Sequence, residues 1–191
     1  RSYHCPMLKW LFEKEGLWRV LPVTGIFIIL FSVWYSPVNS DTGRTLPKVG
    51  FAAPPFSLLD ASDQTLSLQE LQGSVVILNF WASWCPPCRA EMPAFQQVYD
   101  LHKDEGLVIL GVNTTYQDDG ESALRFAEER GVQFPVLFDS DGVVSRRYQI
   151  QALPTTFFID RKGIIRQVIY GGPLNEGLLK VEVQKLLGEG N

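Results

Sequence analysis

Cys85 and Cys88 are separated by two prolines and stand where a strand-like run gives way to a helix-like one. The run before them, 75–81 (Val-Val-Ile-Leu-Asn-Phe-Trp), is dense in β-branched and aromatic residues, the composition of a buried strand. After them, Met92, Phe95, Val98, Tyr99 and Leu101 recur at helical spacing and predict a helix over 86–104. This order puts Cys85 at a helix N-terminus, where unpaired N–H groups and the macrodipole favour an anion. A thiolate is such an anion, so Cys85 is expected to be the attacking sulfur. Cys88 lies one turn further in, within reach to resolve a mixed disulfide. Pro86 and Pro87 preset φ at helix positions whose N–H groups would be unpaired anyway.

Other uses of a CxxC pair fit less well. A zinc site needs two further ligands at matching spacing, and His4 and His102 are the only histidines. Haem attachment needs a histidine after the second cysteine, where Arg89 stands. A structural bridge closing two intervening residues would restrain little chain entropy. Dithiol–disulfide chemistry remains the leading reading.

The chain of 191 residues, 46% hydrophobic, suits one domain plus an appendage. Its formal charge of −4 and lack of a basic run give no footing for nucleic-acid binding. The appendage is an uncharged stretch, 20–35, extended to Leu17-Trp18 across Arg19. Lys9, Lys14 and Arg19 precede it, so residues 1–36 are expected to form a cytosolic N-terminus and signal anchor spanning 17–35. Residues 37–50 read as a linker and 51–191 as an extracytoplasmic domain on a single-pass anchor. Short side chains at Val38 and Ser40 leave secretion after cleavage near Ser40 as the alternative. Cys5 falls on the other side of the span, and a start at Met7 would remove it. The exported part then holds two cysteines, too few for a disulfide framework.

Within the domain, 53–60 and 64–66 predict a hairpin, and Ser67-Leu-Gln-Glu70 has capping-box spacing ahead of a turn through Leu71. Strands are expected at 75–81, 107–113, 136–138, 153–160 and 164–170, with helices at 86–104, 120–130, 143–148 and 175–187. Leu178, Leu179, Val183, Leu186 and Leu187 mark the apolar face of the last helix. The order predicts an α/β fold, a mixed central sheet flanked by helices, parallel in its first half and antiparallel in its second. Pro154 opens an apolar strand, where a residue without N–H needs a reason. A strand-start proline is one; a cis peptide beside the sulfurs, with backbone groups free to pair with a bound chain, is the other and the favoured one.

Residues 79–93 (NFWASWCPPCRAEMP), together with Leu153-Pro-Thr-Thr-Phe-Phe-Ile-Asp160 and the N-terminal span, resemble the TlpA/ResA-like branch of the thioredoxin superfamily. The resemblance implies a thioredoxin-like fold with an extra N-terminal hairpin, over about residues 47–187. It implies a membrane-tethered protein disulfide oxidoreductase, facing the oxidising side and reduced by a membrane electron donor. Its substrates would be particular protein disulfides, such as apocytochrome c during cytochrome c maturation, or proteins of copper-site assembly. Carried over, Cys85 is the nucleophile, Cys88 the resolving thiol and Pro154 the cis-proline. Asn79 stands where ordinary thioredoxins have a buried Asp, and Glu91 occupies the place of the branch's glutamate. Glu91 would take the Cys88 proton if partial burial raises its pKa. Trp84, Pro86, Pro87, Leu153 and Thr155 are the substrate-contact candidates, and Trp81 is expected to be partly core and partly rim. No cofactor is expected beyond the Cys85–Cys88 disulfide, and no metal.

Three other functions are weaker. A peroxiredoxin-type peroxidase would need PxxxTxxC, but Ala82 and Leu78 fill the Thr and Pro places before Cys85, and Cys85 and Trp81 those before Cys88. A copper chaperone would need a further soft ligand, and Met92 and His102 offer no convergent site. A disulfide-donating oxidase differs from a reductase only in potential.

Overall fold

In the computed structural model, residues 45–188 are described. The apolar run Val75–Trp81 is a strand, β3, buried at every position, as expected of a central strand with both faces covered. Around it the sheet is built from β1 (Ser57–Asp60), β2 (Thr65–Ser67), β4 (Leu107–Asn113), β5 (Val136–Phe138), β6 (Thr155–Ile159) and β7 (Ile165–Tyr170), in the order β2-β1-β5-β4-β3-β6-β7. The parallel strands β3, β4 and β5 are joined by α1 (Pro86–His102) and α2 (Gly120–Glu129). Successive crossovers that step the same way along a sheet put their helices on one face. Phe95, Val98 and Phe126 accordingly share a core with Val75, Ile77 and Trp81, completed by Leu179, Val183 and Leu186 of α4 (Glu176–Gly188).

The opposite face carries Phe56, Leu78, Phe80, Phe157 and Tyr148, the last following α3 (Val143–Arg147). Tyr148 is the hub of that layer: its ring lies 5.3 Å from Phe80, 5.1 Å from Phe157 and 5.9 Å from Phe56. Its hydroxyl donates to the Pro54 carbonyl at 2.7 Å. Such a buried hydroxyl needs a partner, and this one ties the segment before β1 to the core. Antiparallel β6 pairs with β3 so that Asn79 faces Thr156 across the ladder. The two-residue side-chain period puts Asn79 on the face of Val75, Ile77 and Trp81, under α1 and α4.

The hairpin, the strand at 136–138 and the parallel-then-antiparallel order are as predicted. Several boundaries differ for local reasons. α1 ends at His102, and a 3₁₀ turn over Lys103–Glu105 closes at Gly106 with φ 91°, a backbone conformation glycine adopts without penalty. The first hairpin strand begins at Ser57 rather than at 53. The expected capping box does not form: Ser67 makes no side-chain cap, and its hydroxyl instead donates to Gln69 at 2.6 Å. β6 begins at Thr155 because the preceding Leu153–Pro154 peptide is cis. Leu178 is 37% exposed and does not join the buried face of α4. Gly50 N–H donates to the Ile165 carbonyl at 2.8 Å, tying the chain ahead of β1 to β7. Among the described residues no helix is long and apolar enough to cross a membrane. The predicted span at 17–35 lies outside the described residues.

Candidate active site

Cys85 is the N-cap of α1, with extended backbone, and Pro86 and Pro87 occupy the first helical positions. Cys85 Sγ accepts from the Cys88 N–H at 3.3 Å, one of the donors left open at a helix start. The two cysteines form a disulfide, with Cα atoms 5.3 Å apart. Cys88 is completely buried, whereas Cys85 keeps 3% exposure and lines a groove of about 300 Å³. A partner sulfur entering from solvent therefore meets Cys85 first.

One wall of that groove is Tyr116 and Gln117, from the loop after β4; the other is Ile150 through Leu153. Trp84 (56% exposed), Pro86 and Pro87 form the rim beside Cys85. The Trp84 indole N–H donates to the Gln117 carbonyl at 3.0 Å, so the exposed ring is held rather than loose. Just before it, Ser83 donates from its N–H and from its hydroxyl to Asp118, both at 2.6 Å, and Asn113 Nδ2 adds a third donor at 2.7 Å. Burial acts to raise the Asp118 carboxyl, but these hydrogen bonds and the Asp119 N–H outweigh it and hold the group below its ordinary value. Arg89 donates to the Ser83 carbonyl at 3.1 Å while its guanidinium lies 4.3 Å from the Phe126 ring centroid. The segment leading into Cys85 is thus anchored to β4, the loop after it, and α2.

The Leu153–Pro154 peptide is cis, as favoured from the sequence. Pro154 is buried, and its carbonyl accepts from Gly171 N–H at 2.7 Å. The Leu153 N–H and carbonyl pair with no backbone group among the described residues. They remain open to an incoming chain on the groove wall. Thr155 does not join that wall: it is fully buried and its hydroxyl donates to the Ala152 carbonyl at 2.8 Å. Its expected place as a substrate contact is corrected to shaping the turn around the cis peptide. Trp81 is likewise 1% exposed and wholly core, because it points with Ile77 under the helices.

Glu91 sits one turn beyond Cys88 on the inward face of α1, with no exposure at all. Its Oε1 accepts from Asn79 Nδ2 at 2.9 Å and its Oε2 from the Leu174 N–H at 3.0 Å. Burial raises its pKa from the ordinary 4.5 to about 7, against the opposing pull of the Leu174 N–H and the Asn79 amide. Burial is complete where partial burial was expected. Above it lies a second cis peptide, Gly172–Pro173. A β-carbon on Gly172 would come within 2.7 Å of Glu91 Oε2 and 2.8 Å of Pro154 Cγ. His102 belongs elsewhere, in the last turn of α1 with Nδ1 3.1 Å from Glu105.

Residues that sequence reasoning passed over include Thr156, Gly172, Leu174, Tyr116, Gln117 and Asp118. The Gly-Gly-Pro turn after β7 and the Asp-Asp pair ahead of α2 carry a signal, but as turn and cap. Nothing local marks Thr156 or Leu174, which reach the site only through strand pairing and chain return.

The chain matches the model of the AhpC/TSA family over residues 49–168. It is 36% identical over 165 residues to the thiol-disulfide oxidoreductase ResA of Geobacillus kaustophilus, covering 84% of this chain and 92% of that one. With the thioredoxin-like protein YneN of Bacillus subtilis it shares 40% identity over 154 residues, 78% of this chain and 89% of the other. Among solved structures, a Chlorobium tepidum chain provisionally named thiol:disulfide interchange protein DsbE superposes with a TM-score of 0.68 at 33% identity. That match covers 75% of this chain and all of the other.

Proposed function

The chain belongs to the AhpC/TSA family, as a thioredoxin-like thiol–disulfide oxidoreductase of the ResA type, and from that premise we propose that it reduces disulfides of particular partner proteins outside the cytoplasm. The observation that carries the exchange chemistry is the pairing of a groove-lining Cys85 with a sealed Cys88 and a buried carboxylate one turn below it.

In the reduced enzyme the Cys85 thiolate attacks one sulfur of a substrate disulfide, forming a mixed disulfide and releasing the other substrate sulfur as thiolate. The helix N-terminus and the Cys88 N–H stabilise the Cys85 anion. Glu91, titrating near neutrality, takes the Cys88 proton. The Cys88 thiolate then attacks Cys85 Sγ, closes the Cys85–Cys88 disulfide and expels the second substrate thiolate. Two electrons pass to the substrate, and a donor dithiol at the membrane must restore the enzyme. Pro86, Pro87, Trp84 and Leu153 present the substrate chain, and Pro154 shapes the wall against which it pairs. No cofactor beyond the disulfide takes part.

The substrate class is a protein disulfide of the apocytochrome c kind, a CxxC pair awaiting haem. Extracytoplasmic placement rests on Lys9, Lys14 and Arg19 preceding the uncharged stretch to Tyr35, with the anchor retained. Cys88→Ser tests the reading: membranes from cells expressing it should yield Cys85 mixed disulfides with apocytochrome c-type chains. Recovery of no mixed disulfide, from a variant whose Cys85 still reacts with small disulfides, would refute it. A reduction potential more oxidising than the compartment would turn the enzyme into a disulfide donor.

A further inference from the structure

We propose that the Asn79 carboxamide turns over to follow the proton on Glu91, donating to the carboxylate and accepting from the carboxylic acid, with Thr156 as its second partner in both positions. The inference rests on Glu91 being the group that takes the Cys88 proton.

Asn79 Nδ2 donates to Glu91 Oε1 at 2.9 Å and to Thr156 Oγ1 at 3.0 Å, so both amide hydrogens are used. Among the described residues the other end of the same group is unpartnered: Asn79 Oδ1 is buried and accepts no hydrogen bond from them. A buried carbonyl left so is costly, and it shows what the orientation is suited to. Every group that touches Glu91 in it is a donor, Asn79 at one oxygen and Leu174 N–H at the other. That set satisfies an ionised carboxylate and leaves the hydroxyl of a protonated one without an acceptor.

Turning the amide by half a revolution about its last bond exchanges its oxygen and nitrogen. Oδ1 then lies about 3 Å from Glu91 and Thr156, accepts from the carboxylic acid and accepts from the threonine hydroxyl. Thr156 serves both positions because a hydroxyl can accept or donate. The atom facing away is unpaired in either orientation, oxygen in one and nitrogen in the other, so it favours neither strongly. The proton on Glu91 makes the choice. An aspartate at this place would add a second charge to the pocket, and an apolar residue would supply neither partner.

Among the described residues no other charge faces this pair. β3, β6 and the segment 171–174 contain no titratable side chain; on α1 the Cys85–Cys88 disulfide precedes Glu91, and Arg89 turns away to the Ser83 carbonyl and the Phe126 ring. The ionisable residues of α4 are Glu176, Lys180, Glu182 and Lys185; none is buried, and the first two pair with each other.

The test is NMR on the oxidised full-length chain labelled at Asn, Glu and Thr, titrated from pH 5 to 9. The Glu91 carboxyl carbon reports its proton, and the cross-relaxation between the Asn79 amide hydrogens and the Thr156 side chain reports the amide. The expected result is that this contact is strong above the Glu91 midpoint and lost below it. A contact that persists on both sides of the midpoint would overturn the proposal. Asn79→Leu, which removes the donor and the acceptor together, should raise the Glu91 midpoint by less than about one pH unit, because the carboxylate and the acid each lose a partner. A rise of about two units in the folded variant, the whole of a hydrogen bond to a charged group with nothing lost by the acid, would also overturn the proposal. Glu91→Gln separates the two readings through the pH profile of mixed-disulfide resolution by Cys88. An unchanged profile removes Glu91 as the proton acceptor, whereas an altered profile with a persistent Asn79–Thr156 contact removes only the amide turn.

Discussion

Replacing Gly172 with alanine puts a methyl group where the active site has no room. The new β-carbon would stand 2.7 Å from Glu91 Oε2 and 2.8 Å from Pro154 Cγ. Ordinary van der Waals separation requires a retreat of roughly 0.8 Å, since non-bonded carbon contacts are optimal near 3.5 Å. Leu174 N–H, two residues on, donates to that same oxygen at 3.0 Å, and the same retreat takes it to about 3.8 Å, beyond hydrogen-bond range. A hydrogen bond to a charged group contributes about 1.5–3 kcal/mol, and this one stabilises the ionised form of Glu91 selectively. At about 1.4 kcal/mol per pH unit, the Glu91 midpoint should rise from about 7 to about 8–9. The overpacking itself should cost about 1–3 kcal/mol of global stability. The assay is the Glu91 carboxyl titration in the oxidised protein, with Gly171→Ala as the control. Gly171 has φ 80° and open space around it, so alanine there strains the backbone without touching Glu91. A folded Gly172→Ala protein with an unmoved midpoint, or an equal movement in Gly171→Ala, would refute the reasoning.

Glu91 also sets a pH dependence of stability. It holds its proton to about pH 7 when folded, against an ordinary 4.5, so between those values the native state binds more protons than the unfolded one. Stability of the oxidised protein should therefore fall as pH rises from about 4.5 to about 7, by on the order of 3 kcal/mol, and level off above. Glu91→Gln should abolish that slope in urea melts across the range, and a retained slope would assign it elsewhere. Tyr148→Phe leaves the Pro54 carbonyl without its 2.7 Å donor and should lower stability by about 1–3 kcal/mol, read from the denaturation midpoint with the ring layer intact by near-ultraviolet circular dichroism. Asp119 caps α2 by accepting the Ser122 N–H at 2.9 Å. Asp119→Ala should cost about 1 kcal/mol while leaving disulfide reduction by Cys85 unchanged.

Much of the fold was legible because its elements are locally consistent. Val75–Trp81 and Leu107–Asn113 are buried on both faces and read as unbroken apolar runs. The spacing in α1 buries Met92, Phe95 and Val98 in the positions it marks. Failures came where a neighbour in space outvoted the local pattern. Ser67 had capping-box spacing but bonds Gln69, and Trp81 beside the active-site loop belongs to the core because strand alternation turns it inward. Thr155, next to the cis proline, was expected to face substrate and instead spends its hydroxyl on Ala152.

The sequence by itself determined the chemistry: two sulfurs at helix spacing behind a strand, two prolines setting the helix start, and a carboxylate one turn on. These are short-range relations, written in residues a few positions apart. Only the tertiary structure decided how that carboxylate behaves. Glu91 is sealed by Asn79, twelve residues earlier, and by the Leu174 N–H, eighty-three residues later. Its proton affinity depends on solvent exclusion and on donors delivered by strand register and by the turn after β7, none of which has a local sequence signature. The cis Leu153–Pro154 bond belongs to both levels: the proline permits it, and packing against Gly171 and Gly172 fits it into the site.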